Sequence, residues 1–411
     1  MARSPSLPVA LALLSALPAP AEFLTNPYLG TDVEYSRDVL SWQRVVTNKT
    51  ERIFAAYAGE ELDVGKLYLS GHLSGTYYAE ETDTDGKFPL LGRFPGQHTK
   101  GDRGSEAVID NADLAVTYAP VSLVQFFVHG VYTELEFPGQ DQYQMREAFA
   151  TIGNPEVFPL YASFGRKTVN FGNYQSYNPT VHTVNNHFFR TDSDDPVLEL
   201  GYVDHGLVAA ITIIPGGRHL RVADARDSNF FSNFAASLTW SPDWTPAGGS
   251  VKLGAGYLYS TIYDSDAANH PGMNPDPLTE WHRNGAVNTW AEFRKGGFSA
   301  MAEYTRTERQ WPATGAHVHA IGLQAAQDFV LWGNPTRGAV SYGRGIQGDD
   351  GTEFSTLDQL AAGVEMWLCP WFAVNVEYVY NQSFVPLIMI SRASIDDVNT
   401  HSLLVGGKAF F

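Results

Sequence analysis

The chain has 411 residues and is 44% hydrophobic and 13% aromatic, yet only 18% charged, against roughly a quarter in soluble proteins. With 27 basic and 45 acidic residues the net charge is -18, which leaves nothing to neutralise phosphates and argues against nucleic acid as a partner. The single cysteine, Cys369, excludes an internal disulfide and a cysteine-rich metal site, and no cofactor is expected.

In chain order, the first segment reads as an export signal. Arg3 supplies positive charge, Leu7 to Leu17 form a short apolar stretch, and Ala19-Pro20-Ala21 is a small-x-small cleavage pattern. Cleavage is expected after Ala21, which defines residues 1–21 as the signal. A retained anchor helix would need about 20 apolar residues. Residues 22–65 do not alternate as a strand does. Asp32 to Ala58 is expected to be helical, with Val33, Leu40, Val45, Ile53 and Phe54 as irregular apolar positions. This segment is expected either to lie in the periplasm or to enter the lumen of a barrel formed by the rest of the chain.

From residue 66 the pattern changes to period two, the signature of strands with one polar and one apolar face. Val124, Phe126 and Val128 alternate with Gln125, Phe127 and His129. Leu160 to Phe171 reads as one strand; it carries the adjacent pair Arg166-Lys167, of which only one residue can face inward. Leu253, Ala255 and Tyr257 alternate with Lys252, Gly254 and Gly256. Phe298, Ala300, Ala302 and Tyr304 alternate with Ser299, Met301, Glu303 and Thr305. The last run sets His401, Leu403 and Val405 against Ser402, Leu404, Gly406 and Lys408, and it stops on Phe411.

The polar face carries Glu, Asn, Gln, Lys, Ser and Gly, as a hydrated lumen would. The apolar face often ends in Tyr or Trp, at Tyr118, Tyr132, Tyr202, Trp240, Tyr259, Tyr304, Tyr342 and Tyr380, the pattern of an aromatic girdle at a membrane interface. Connections alternate in length. Ala119-Pro120-Val121, Asp204-His205-Gly206, Lys295-Gly296-Gly297, Leu331 to Pro335 and Cys369-Pro370-Trp371 are short turns, while stretches such as 80–105, 172–196 and 382–398 are long. The expected fold is all-β: a transmembrane antiparallel β-barrel over 66–411 with about sixteen strands, wide enough for an aqueous channel. Phe411 is the expected signal to the barrel-assembly machinery.

Charged residues at lumen-facing positions are the candidates for lining a pore. They are Lys167, Lys252, Glu292, Arg294, Glu303, Arg309, Glu365, Glu377 and Lys408. Arg190, Arg218, Arg221 and Arg226 fall in long loops, where they are candidates for a patch that meets an anionic solute. Asp192, Asp194 and Asp195 do not have the spacing of an EF-hand. His317 and His319 lie on one strand face and are expected at the membrane interface rather than in a catalytic site. Gly338 to Gly345 is glycine-rich but precedes no helix, so it is not a phosphate loop.

The block Glu147 to Tyr174, EAFATIGNPEVFPLYASFGRKTVNFGNY, resembles the LbtU-type outer-membrane siderophore porin family, as does Val197 to Gly217. The resemblance implies a sixteen-stranded barrel that admits ferric siderophores without the plug domain of energised receptors, and it implies no catalytic motif. It departs from the family at residues 22–65, which show no sustained heptads where coiled-coil-like segments occur.

The expected role is therefore passive passage of a small hydrophilic solute, with a ferric siderophore as the favoured cargo. The alternatives are a general or anion-selective porin, an outer-membrane hydrolase on a barrel scaffold, and a structural barrel with a blocked lumen. Expected partners are outer-membrane lipid and lipopolysaccharide, the assembly machinery and the solute, and a homo-oligomer is left open.

Overall fold

The computed structural model describes residues 26–91, 101–134, 142–193, 195–214, 233–242, 248–264, 283–312, 314–348, 356–383 and 398–411. A two-residue strand β1 (Leu29–Gly30) is followed by helices α1 (Val33–Leu40) and α2 (Lys49–Ala58). The wall then begins with β2 (Leu67–Thr82), β3 (Arg103–Val121), β4 (Val124–Tyr132), β5 (Tyr143–Asn154) and β6 (Phe158–Arg166). A short helix α3 (Val184–Phe189) precedes β7 (Val197–Asp204), β8 (Leu207–Ile214), β9 (Asn233–Trp240) and β10 (Ser250–Leu258). The wall is completed by β11 (Ala286–Lys295), β12 (Phe298–Gln310), β13 (His317–Leu331), β14 (Asn334–Ile346), β15 (Thr356–Cys369), β16 (Phe372–Ser383) and β17 (Asn399–Phe410).

Each strand from β2 to β17 pairs antiparallel with the next, and β17 pairs with β2 from Thr400↔Thr82 to Phe410↔His72. The sixteen strands thus form a closed barrel without a free edge. The extra strand β1 runs parallel to the start of β2. Hydrophobic alternation sets the register, because a slip by one residue would exchange the two faces of a strand. In β17, Leu403 is 48% exposed and Leu404 is fully buried. Outward residues form an apolar belt in which Leu323 faces Tyr342 and Tyr342 faces Leu360. A belt of this kind is stable only against lipid, and an even-numbered antiparallel barrel is the architecture of the bacterial outer membrane.

The short turns gather at one end. His205 and Gly206 have φ of 47° and 73°, and Trp332 and Gly333 have 52° and 84°. Two successive positive φ values match the right-handed twist of the flanking strands. The chain ends at this same end, where Phe411 exchanges both backbone hydrogen bonds with Gly71.

Three expectations from the sequence need correction. The stretch 32–58 is two helices rather than one, since Ser41 begins an extended break and Asn48 takes a left-handed conformation with φ of 59°. The strand expected over 160–171 stops at Arg166, so Lys167 is not constrained to face opposite its neighbour. β3 runs through the expected turn at 119–121, with a register shift between Tyr118 and Val121, and turns at Ser122-Leu123 instead.

The facing of the wall has a measurable consequence. Leu323→Arg, at the middle of β13, is expected to destabilise the barrel by about 2–4 kcal/mol in lipid. Equilibrium unfolding in bilayers should detect this loss, and a cost near zero would place Leu323 away from the lipid.

Candidate functional site

The inner face of the wall is polar and is nevertheless buried, because the barrel's own chain occupies the lumen. The N-terminal segment covers the inside of β2–β5 and β17. Asp32 caps α1 by accepting from the Tyr35 amide at 2.7 Å. One flank of the helix pair, with Tyr35, Val39, Leu40, Ile53 and Ala56, packs on Tyr68, Ala115, Phe127, Phe149 and Phe410 of the wall. Polar tethers surround this contact. The Tyr35 hydroxyl meets Thr117 Oγ1 at 2.8 Å. Ser36 Oγ donates to the Phe411 carbonyl at 2.6 Å, and Lys408 Nζ donates to Gln43 Oε1 at 2.7 Å. Lys49 is ion-paired with Glu147, both buried.

After β6 the chain turns inward, and residues 167–191 line the opposite inner wall. The loop begins at Lys167, whose ammonium donates to Glu199 at 2.6 Å and to Thr50 at 3.0 Å. Wall carboxylates then receive its backbone. Glu303 accepts from the amides of Asn173 and Tyr174 at 2.8 and 3.1 Å. Glu377 accepts from the Thr180 amide at 2.7 Å. The Tyr177 hydroxyl donates to Glu292 at 2.6 Å, and its amide donates to Gln324 at 2.7 Å. Each of these bonds would be costly to leave unmade in this buried setting. Thr47 and Asn48 tie the N-terminal segment to Gly172 and Asn170 of the same loop at 2.8 Å each.

The wall is contoured for this loop. A Cβ on Gly343 would lie 2.6 Å from Val184, one on Gly345 2.3 Å from Phe188, and one on Gly363 2.6 Å from Pro179. The glycine-rich stretch 338–345 therefore seats α3 against β14. Toward the long-loop end a third insert closes in: Leu90 and Leu91 donate their amides to Glu80 at 3.2 and 2.9 Å. Their side chains pack with Phe88, Tyr78, Val181 and Leu404.

These contacts locate the nine charged candidates. Lys167, Glu292, Glu303, Glu365, Glu377 and Lys408 are buried on the lumen side, each bonded to an insert or to a wall partner; Lys408 donates to Glu365 at 2.8 Å. Arg294 is 49% exposed and donates to Glu292 at 2.8 Å. Lys252 is 34% exposed, with its ammonium 3.8 Å from Glu51 of α2. Arg309 is exposed at the end of β12, where the register with β13 shifts between Arg306 and Gln310.

Lumen-side charges outside this set include Glu80, Asp113, Glu147 and Glu199, together with His72 and His129. Their signal is local: Asp113 sits between Ala112 and Leu114, and Glu199 between Leu198 and Leu200, so a charge enclosed by lipid-facing neighbours marks the inner face. Among the loop arginines, Arg190 pairs with Asp192 at 2.6 Å, while Arg218, Arg221 and Arg226 lie outside the described residues. His317 and His319 share the outward parity of Ile321, and His319 Nδ1 is 2.9 Å from the Tyr304 hydroxyl. Among the described residues no group of three or more His, Cys, Asp or Glu is placed to hold a metal.

No protein-family model matches the chain, and no curated protein sequence matches it. Solved structures do resemble it. OprB of Pseudomonas putida has a TM-score of 0.55 at 10% identity, covering 84% of this chain and 94% of its own. An anion-selective porin from Comamonas acidovorans has a TM-score of 0.54 at 11% identity, covering 84% and 99%. OmpF of Salmonella typhi, solved with daunomycin, has a TM-score of 0.54 at 15% identity, covering 84% and 98%. At such identities the likeness shows the fold: this chain is built as a porin-type barrel of the bacterial outer membrane.

Proposed function

We propose that the protein is a passive outer-membrane channel for small hydrophilic solutes, held narrow by its own N-terminal segment and inward loop. The observation that carries this reading is the chemistry of the inner wall. Between the apolar clusters, the inserts meet it through hydroxyls, amides and ion pairs, and water can replace such bonds. The wall strands are fully paired with one another without the inserts. A lumen meant to stay sealed needs no such row of carboxylates.

Residues 1–21 are proposed as the cleaved export signal, and the favoured cargo is a ferric siderophore. The cargo rests on the resemblance of the block 147–174. An anion preference is a second reading, favoured by basic groups near Tyr177. The Arg337 guanidinium lies 5.1 Å from that ring, and half-exposed Arg294 shares Glu292 with its hydroxyl. A hydrolase is disfavoured, since His317 and His319 face outward.

Two measurements test the proposal. Removing one partner of a buried ion pair costs roughly 3–5 kcal/mol, enough to shift an occluded-to-open equilibrium about a hundredfold or more. Lys49→Met, which leaves Glu147 facing an apolar side chain, is therefore expected to raise open probability in planar-bilayer recordings. Unchanged recordings would show that the N-terminal segment does not limit conductance. For cargo, proteoliposomes should admit a ferric siderophore faster than a neutral sugar of equal size. Equal rates would leave a general channel.

A further inference from the structure

Two apolar grooves lie on the outer face of the barrel. One, of about 590 Å³, crosses β10–β15, within the size range of ligand pockets, about 300–1,000 Å³. Phe293, Leu323, Tyr342 and Leu360 wall it, and the small side chains of Ala302 and Ala325 leave the space between them. The other, of about 770 Å³, crosses β15–β17, β2 and β3 and has Glu134 in its lining.

Above the first groove the wall changes character. Tyr304 on β12 and Tyr342 on β14 belong to the outward aromatic row. The next outward residue on each strand, about 7 Å further along, is an exposed arginine, Arg306 and Arg344. Arg306 lies opposite His319 of β13, and Arg344 opposite Ile321 of the same strand. His319 thus stands between the two arginines. These positions are at the long-loop end, which faces outward in an outer-membrane barrel. A row just beyond the aromatic girdle lies where the headgroups of the outer leaflet begin.

The carboxylates beside this row are engaged. Glu308 holds Arg283 at 3.0 Å. Asp358 accepts from the Tyr342 hydroxyl at 2.6 Å and lies 3.7 Å from the Arg344 guanidinium. Among the described residues no carboxylate pairs with Arg306. Arg283, Arg306 and Arg344 therefore face only Glu308 and Asp358, and one positive charge is left over with both histidines neutral.

A guanidinium held at headgroup level meets phosphate, which its planar fork binds in bidentate fashion. We infer that the groove and the arginine row form one site for a phosphorylated, acylated lipid of the outer leaflet. An acyl chain lies in the groove along Leu323 and Leu360, and the phosphate rests on Arg306 and Arg344. The larger groove does not complete such a site, because its one charged lining residue, Glu134, would repel the headgroup. The site is on the outer face, so it stands or falls separately from the channel reading.

Native mass spectrometry of the full chain, released from detergent containing lipid A, tests this. Bisphosphorylated lipid A should be retained more strongly than its dephosphorylated form with the same acyl chains. Equal retention would overturn the phosphate contact. The double variant Arg306→Gln, Arg344→Gln is expected to weaken retention about thirtyfold, from about fivefold per cation at a membrane surface. Retention by the folded double variant equal to wild type would overturn the proposal. Ala302→Trp, which fills the groove without touching the arginines, should also weaken retention. Val376→Trp, in the larger groove, should leave it unchanged; an equal loss from both would overturn the choice of groove. Should the double variant fail to fold, the wild-type comparison of the two lipids still decides.

Discussion

A lipid bilayer offers no hydrogen-bond partner to a backbone amide or carbonyl, so a sheet that crosses it must leave no edge. Here that condition is met by one pairing, β17 against β2. Without it the strands β2 and β17 would each present a row of unpaired groups to hydrocarbon. With it, the outer face is free to be apolar and the inner face free to be polar. The tethers described above all depend on this division. Glu303, Glu377 and Glu147 can be polar because closure keeps them from lipid, and once buried they require partners.

The lumen meets that requirement with protein. A solvated carboxylate would be satisfied by water, but the N-terminal segment and the inward loop bring amides and ammonium groups instead. The structure therefore has two levels of organisation. The barrel is held by a continuous ladder of backbone bonds. The inserts are held by side-chain hydrogen bonds and ion pairs and by apolar clusters around Tyr35, Phe188, Leu91 and Tyr177. The gated channel proposed above would require the second level to loosen while the first persists.

Much of the barrel was legible in the sequence because its information is local. The alternation that sets Leu403 against Leu404 spans two residues, and the turns at His205-Gly206 and Trp332-Gly333 lie within hairpins. The inward parity of Glu292, Glu303, Glu365, Glu377 and Lys408 was legible for the same reason. What they touch was not: Glu303 and Tyr174 are 129 residues apart, and no local pattern joins them. The end of β6 at Arg166 was hidden likewise, since the strand-like composition of 167–171 continues while Lys167 is drawn inward by Glu199. The glycines of β14 looked like a motif without a role until Val184 and Phe188 were seen resting on them.

The N-terminal segment remains joined to the wall at Leu67 by a link of only a few residues, Asp63 to Lys66. A segment dislodged from its seat therefore stays close to it, at an effective concentration on the order of millimolar. Its return is unimolecular and does not depend on how much protein is present. In the channel proposed above, a solute that occupied the vacated space would compete with a ligand the barrel always carries.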